Sequence, residues 1–263
     1  MHSGPSLLPR HGDDAETAAA AERAGIELFV LKAHEGSTAE RSLLIGRGAV
    51  GGIVLNSPVG GPNPEAVRVV AQLGGRLVWL PTISSPAHQL AHRSPELSAH
   101  RDIAFSAVAI CTDRVLEPSW MHVFEEVAAA DMVLASGHAS IDEAIIAFAA
   151  ARQVGVRRFL VNHPLMPFLG WRDEHASKLR ELGARLELGV LPDLVTQGGH
   201  SGTARLLRIY PPELLVFGSD LGHANFPRLD VGVAAWAERW GRIAGSAVIG
   251  RIMSGNSREL VAL

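Results

Sequence analysis

Residues 131–138 read DMVLASGH. The apolar run has no polar alternation and is too short for a globular helix, so it reads as a strand buried on both faces. It ends abruptly on small residues and a histidine. Six other stretches repeat this shape: IELFVLKAH (26–34), VGGIVLN (50–56), RLVWLPT (76–82), VRRFLVNHP (156–164), LELGVLPD (186–193) and ELLVFGSD (213–220). Between them lie segments with helix start and stop signals. DDAETAAAAERAG (13–25) runs from Asp13 to a terminal Gly25. NPEAVRVVAQLGG (63–75) opens on an Asn cap and a first-turn Pro. SIDEAIIAFAAARQVG (140–155) places Ser140 and Glu143 at capping-box spacing. Strands alternating with helices predict a parallel α/β fold.

The spacing narrows the class. Taking the strand ends as His34, Asn56, Thr82, His138, His163, Leu191 and Asp220, successive ends are 22 to 29 residues apart, except for 56 between Thr82 and His138. A single βα unit accounts for each short step. The long one holds SSPAHQLAHRSPELSAHRD and a candidate hairpin, SAVAICTDRVLEP, so residues 84–117 read as an insertion or lid. Seven strands fall one short of a closed (β/α)8 TIM-like barrel. One more unit counted back from His34 reaches the first few residues, so the missing strand would end near His2. The expectation is one barrel domain over 1–263, with strand one truncated or missing at the N-terminus. The rival, an open doubly wound sheet, would carry a Gly-rich turn after its first strand. The literal match, GRGAVG from Gly46, stands after a helix and before a strand, the wrong order for a dinucleotide site.

Composition bounds the partners. The chain has 263 residues, is 47% hydrophobic and carries a formal net charge of −3. The absence of a basic block argues against nucleic acid and anionic membranes. The first residues are polar, and no run of about 18 apolar residues suggests a membrane span. The single cysteine, Cys111, excludes an internal disulfide framework and fits a reducing compartment, so the expectation is a cytoplasmic protein acting on a small molecule. If strand one is absent, the exposed sheet edge would need cover, and a homo-oligomer is one way to supply it.

The chemistry is read at the strand ends. In a barrel they face the active site. Here they carry Lys32, His34, Asn56, Thr82, His138, His163, Asp193, Ser219 and Asp220. Imidazoles with a carboxylate suit Zn, Mn or Fe, and such a metal activates water and polarises a carbonyl. The twelve histidines against one tyrosine fit that chemistry.

The same residues resemble a family. GH after the fifth strand, NHP after the sixth and GSD after the last are similar to the metal-dependent amidohydrolase superfamily. GNSREL (255–260) resembles the GNPAR ending common there. VLKAHEGSTAERS (30–42) and GGIVLNSPVGGPNPEAV (51–67) resemble more closely a group of amidohydrolase-like proteins that begin DLHVHSGPD. The resemblance implies an eight-stranded barrel with His138 and His163 as metal ligands. Asp220 becomes a ligand or the base that takes the proton of water, and His2 the second histidine of an H-x-H pair. The fourth strand, RLVWLPT, lacks the Lys or Glu that bridges two metals, which implies one divalent ion, Zn foremost, with Mn or Fe as alternatives.

Asp220 and His163 are thus the expected catalytic residues, and His2, His138, His163 and Asp220 the expected metal ligands. Lys32, His34, Asn56 and His223 are the expected substrate contacts. Lys32 reads equally as a strand-end lysine with a buried stem. His34 reads as an aid to the metal or as a cap on the following helix. His88 and His92 in HQLAH are one helical turn apart but lack the glutamate of H-E-x-x-H, so a lid outranks a zinc site there. Cys111 reads as structural. The leading function is a metal-dependent hydrolase in which activated water attacks an amide, lactone or related carbonyl. The alternatives are a decarboxylase or deaminase on the same barrel, and a non-catalytic barrel that lost its first strand.

Overall fold

The computed structural model describes residues 1–93, 100, 103–196 and 199–261. Its strands are β1 (Phe29–Val30), β2 (Ala49–Val50), β3 (Gly52–Val54), β4 (Leu77–Trp79), β5 (Cys111–Thr112), β6 (Val115–Leu116), β7 (Val133–Ala135), β8 (Arg158–Val161), β9 (Arg185–Leu188) and β10 (Leu215–Phe217). Six of them form a parallel sheet in the order β10-β9-β8-β7-β4-β3. This is a mixed α/β architecture. The core strands β3, β4 and β7 are buried throughout, as their continuous apolar runs require.

The expected helices form with the expected caps. In the helix Asp14–Arg23, Glu16 N donates to Asp13 Oδ1 (2.9 Å) while Asp13 N donates to Glu16 Oε2 (3.0 Å). Ser140 and Glu143 make the same reciprocal pair at the start of Ile141–Gln153. Asn63 caps Pro64–Gln72. The segment 84–117 begins with a short helix, Pro86–Ala91, and ends in the antiparallel β5-β6 hairpin. Residues 94–99 and 101–102 of that expected insertion lie outside the described residues.

Two strand expectations need correction. The run VGGIVLN is split at Gly51, and β1 pairs only with β2. Thr38 wedges into the ladder there: Gly52 N donates to Thr38 Oγ1 (3.0 Å), and that hydroxyl donates to Leu31 O (2.9 Å). The run LELGVLPD stops at Leu188, and a helix, Val190–Val195, follows the extended Gly189. Leu191 and Asp193 therefore sit on a helix and not at a strand end. Asp193 accepts from Thr203 Oγ1 (2.5 Å) and Trp240 Nε1 (2.8 Å), which ties its helix to two others.

Register sets the site. Trp79, Ala135 and Leu160 are laterally paired, so Thr82, His138 and His163 each lie three residues beyond one common level. The first residues join them. Met1 O accepts from Lys32 N (2.9 Å), and His2 N donates to Leu221 O (2.9 Å), so Met1–His2 runs between β1 and the end of β10. Arg41 holds the next residues, donating to Ser3 O (3.2 Å), Gly4 O (3.1 Å) and Asp14 Oδ1 (2.6 Å).

Two glycines permit close approaches at this end. Gly137, at φ +56°, leaves no room for a Cβ against the carbonyl of Leu80. Gly222, at φ +131°, would drive a Cβ into the carbonyl of His2. Gly222→Ala should lower stability by roughly 1–3 kcal/mol, from strain and steric overlap together, read as a fall in the urea midpoint. A midpoint equal to that of the unsubstituted protein would mean that the first residues do not dock on the end of β10.

Candidate functional site

At the carboxyl ends of the strands the structure gathers a chain of imidazoles. His2 stacks on His34 with ring centroids 4.9 Å apart, His34 lies 6.1 Å from His138, and His138 lies 5.0 Å from His163. All four side chains are buried. Asp220 completes the group through His2, whose Nε2 is 3.1 Å from Asp220 Oδ1. His163 (φ +29°) and Asp220 (φ +50°) both hold left-handed backbone conformations, strain of the kind that clusters at functional sites.

Electrostatics assigns the protonation states. Burial alone would raise the Asp220 carboxyl, but the His2 hydrogen bond and the charge of Lys32 hold it well below the usual carboxylate range. An ionised carboxylate only accepts, so the proton sits on His2 Nε2. Burial pushes His2 down to about 3 and His163 down to about 4. It also carries His34 and His138 well below the ordinary imidazole value. The rings are therefore neutral, the form in which imidazole binds metals. His2 Nδ1 and His163 Nδ1 are buried without a hydrogen-bond partner among the described residues. Neutral imidazoles with unpartnered nitrogens beside an ionised carboxylate fit a divalent transition metal.

The other expected residues divide. Lys32 is buried, with Nζ 5.8 Å from the Trp79 ring centroid. Asn56 is fully buried, and both ends of its amide are engaged. It donates to His34 O and Thr82 Oγ1 (both 2.8 Å) and accepts from Thr82 N (2.8 Å) and Ser84 N (3.1 Å), which leaves nothing for a ligand. It positions His34, whose Nδ1 is 2.9 Å from Thr82 Oγ1. His223 stands apart, edge-on to Phe226 with its Nδ1 accepting from Asn225 N (3.2 Å). Cys111 is half-buried on β5, with its thiol pushed up to about 11 by burial.

Two features escaped sequence reasoning, and a third was ranked too low. Glu187 on β9 faces away from the helix-packed side that Leu186 and Leu188 occupy. It accepts from Asn162 Nδ2 (2.9 Å), and burial followed by the charge of Asp220 pushes it up to about 7. A lone glutamate in LELGV was its available signal. It lines a cavity of about 180 Å³ together with Lys32, Asn162, Asp220, Trp79 and Leu260. Phe168, from the turn after β8, packs edge-on to His138 at 5.4 Å. Finally, His88 lies against the site, its Nδ1 2.7 Å from His138 Nδ1, and joins His92 and His100 in a compact triad.

Solved structures share this fold. A probable 2-pyrone-4,6-dicarboxylic acid hydrolase from Acinetobacter baumannii, with citric acid bound, matches with TM-score 0.65 and 11% identity over 100% of this chain and 94% of that one. A prolidase complexed with N-methylphosphonate-L-proline matches with TM-score 0.55 and 13% identity over 99% of this chain and 73% of that one. A second structure, described as an uncharacterized protein, matches with the same score, and this chain spans 66% of its length. The organophosphorus hydrolase of Deinococcus radiodurans gives TM-score 0.52 and 13% identity, over 94% and 82%. The likeness to these structures is one of fold. No curated protein is significantly similar in sequence. Residues 1–187 match the model of a family of unknown function, DUF6282, and the chain belongs to that family.

The buried imidazoles make the metal-free protein acid-labile. Their folded pKa values lie below the unfolded value near 6.5, so the stability they contribute is full above pH 6.5 and is lost as pH falls. His2, His163, His88 (about 2) and His100 (about 3) together cost about 8 kcal/mol by pH 5, at about 1.4 kcal/mol per group and pH unit. Glu187, raised to about 7, opposes this by only about 3 kcal/mol. The loss rivals the whole stability of a typical domain. Far-UV circular dichroism of metal-free protein should show unfolding as pH falls through about 5. A native spectrum retained at pH 4 would contradict the burial of neutral rings.

Proposed function

We propose that the chain is a metal-dependent hydrolase on a (β/α)8 barrel of the amidohydrolase type, acting on the carbonyl of a small carboxylate-bearing lactone or amide. The observation that carries this reading is the placing of His2, His138 and His163 with ionised Asp220 at the carboxyl ends of parallel strands, in a looser arrangement than the donor atoms of His88, His92 and His100. The barrel reading is supported by the hydrogen bonds of Met1–His2 to both β1 and the segment after β10, which bridge the two ends of the parallel array. A single barrel over 1–263, with 84–117 inserted across its mouth, is the domain organisation that follows.

His2, His138, His163 and Asp220 would hold one divalent ion, Zn foremost. When bound, that ion polarises a carbonyl and makes water acidic near neutral pH. The protein's own groups do the rest. Asp220, kept ionised by His2 and Lys32, receives a proton at its carboxylate. Lys32, buried beside Trp79 at the cavity edge, pairs with a substrate carboxylate. Asn56 and Thr82 fix His34 in the wall, and Phe168 covers His138 and limits water. The fold relative with citric acid bound is named for a dicarboxylate substrate, which fits a cationic subsite at Lys32. No helix among the described residues is long and apolar enough to cross a membrane. The lone cysteine, which fits a reducing compartment, is the ground for proposing a cytoplasmic place.

The test is chromatographic detection of hydrolysis products from a panel of lactones and amides with and without a carboxylate, together with metal analysis. Asp220→Asn and His163→Asn should each lower turnover at least about 100-fold, the size of a lost acid–base or charge-stabilising group, and bind one equivalent of zinc less. Lys32→Met should raise KM for the carboxylate-bearing members while sparing the uncharged ones. Turnover that survives chelation, or that is unchanged in Asp220→Asn, would overturn the reading.

A further inference from the structure

His88 and His92 lie on one face of the helix Pro86–Ala91 and its cap, with ring centroids 3.7 Å apart. His100 closes the group at 5.1 Å from His88 and 5.3 Å from His92. One ligand atom from each lies within 4.8 Å of the other two, and no other such group of three His, Cys, Asp or Glu side chains occurs among the described residues. We propose that His88, His92 and His100 form a second cation site, on the inserted segment, for a divalent transition metal of the zinc type. The proposal is independent of the reading given to His2, His163 and Asp220.

Each ring offers a donor. His88 is 1% exposed, and its Nε2 has no hydrogen-bond partner among the described residues. His100 Nδ1 is buried and unpartnered in the same way. His92 Nδ1 lies 3.0 Å from the carbonyl oxygen of His88, which can only accept, so the His92 proton sits on Nδ1 and the Nε2 lone pair is free. His88 and His138 share one proton across their 2.7 Å contact. With that proton on His88 Nδ1, its Nε2 lone pair is free, while His138 accepts at Nδ1 and keeps its own proton on Nε2, so in this state the strand-end site is held by His2, His163 and Asp220 without His138. Three neutral imidazoles that turn lone pairs toward one another with no donor between them leave buried polar atoms unsatisfied, an unfavourable arrangement that a cation resolves. Phe168 walls the site, edge-on to His88 at 5.5 Å and to His92 at 5.9 Å. Three nitrogen donors and no carboxylate select Zn²⁺, Co²⁺ or Ni²⁺ over Mg²⁺ or Ca²⁺. A three-histidine set leaves a fourth position open.

The test is equilibrium dialysis of chelator-stripped full-length protein against Zn²⁺, with metal counted by mass spectrometry and Co²⁺ binding followed by visible absorption. His92→Ala/His100→Ala should bind one equivalent less than the unsubstituted protein and lose one Co²⁺ absorption component. Asp220→Asn/His163→Asn should keep that equivalent and component. If the first pair of substitutions does not fold, the single His92→Gln, at a partly exposed position, should weaken one equivalent at least tenfold. Unchanged zinc stoichiometry and affinity in the His92 variants would overturn the proposal. If the Asp220/His163 variant binds as much zinc as the unsubstituted protein while the His92 variants bind less, the site at the strand ends fails and this one stands.

Discussion

The hydrogen bond from His2 Nε2 to Asp220 Oδ1 is the interaction on which the rest of the site depends. It joins the first residues of the chain to the loop leaving β10, and it sets two protonation states at once. Asp220 stays ionised because His2 donates to it and the charge of Lys32 lies near. His2 stays neutral because burial outweighs the attraction of Asp220 for an imidazolium. A neutral ring with one nitrogen committed to a carboxylate has its other nitrogen fixed as a lone pair, which orients it toward whatever sits among the rings.

Burying this many imidazoles costs stability unless something engages their free nitrogens. The surrounding structure shows how the rings are kept in place. Asn56 spends all four of its hydrogen-bonding positions on the backbone and side chains around His34 and Thr82. Gly137 lets the chain pass against Leu80 and so sets where His138 emerges. Arg41, with Asp14, grips Ser3 and Gly4 and so seats His2. These are positioning devices on rigid elements, the arrangement expected where side-chain geometry matters to a fraction of an ångström.

Much of this was legible in the sequence. Continuous apolar runs announced buried parallel strands, and Ser140 with Glu143 announced a helix start, because both signals are local. His138, His163 and Asp220 could be placed beyond the ends of the parallel strands because each follows such a run directly. Asp193 was misplaced because Gly189 ends its strand early, and a helix then carries the carboxylate. Glu187 was missed because strand alternation turns it inward, which a single polar residue in an apolar run does not announce. The His88 cluster was undervalued for a different reason. Four-residue spacing specifies only a shared helical face, whereas His100 and His138 reach that face through tertiary packing.

The central claim is that neutral rings and one carboxylate at the strand ends hold a metal. Anomalous diffraction at the zinc edge from zinc-loaded crystals tests it most directly. The account predicts a peak about 2.0–2.2 Å from a nitrogen of His163 and an oxygen of Asp220. A zinc-loaded crystal with no anomalous density between those two side chains would contradict it.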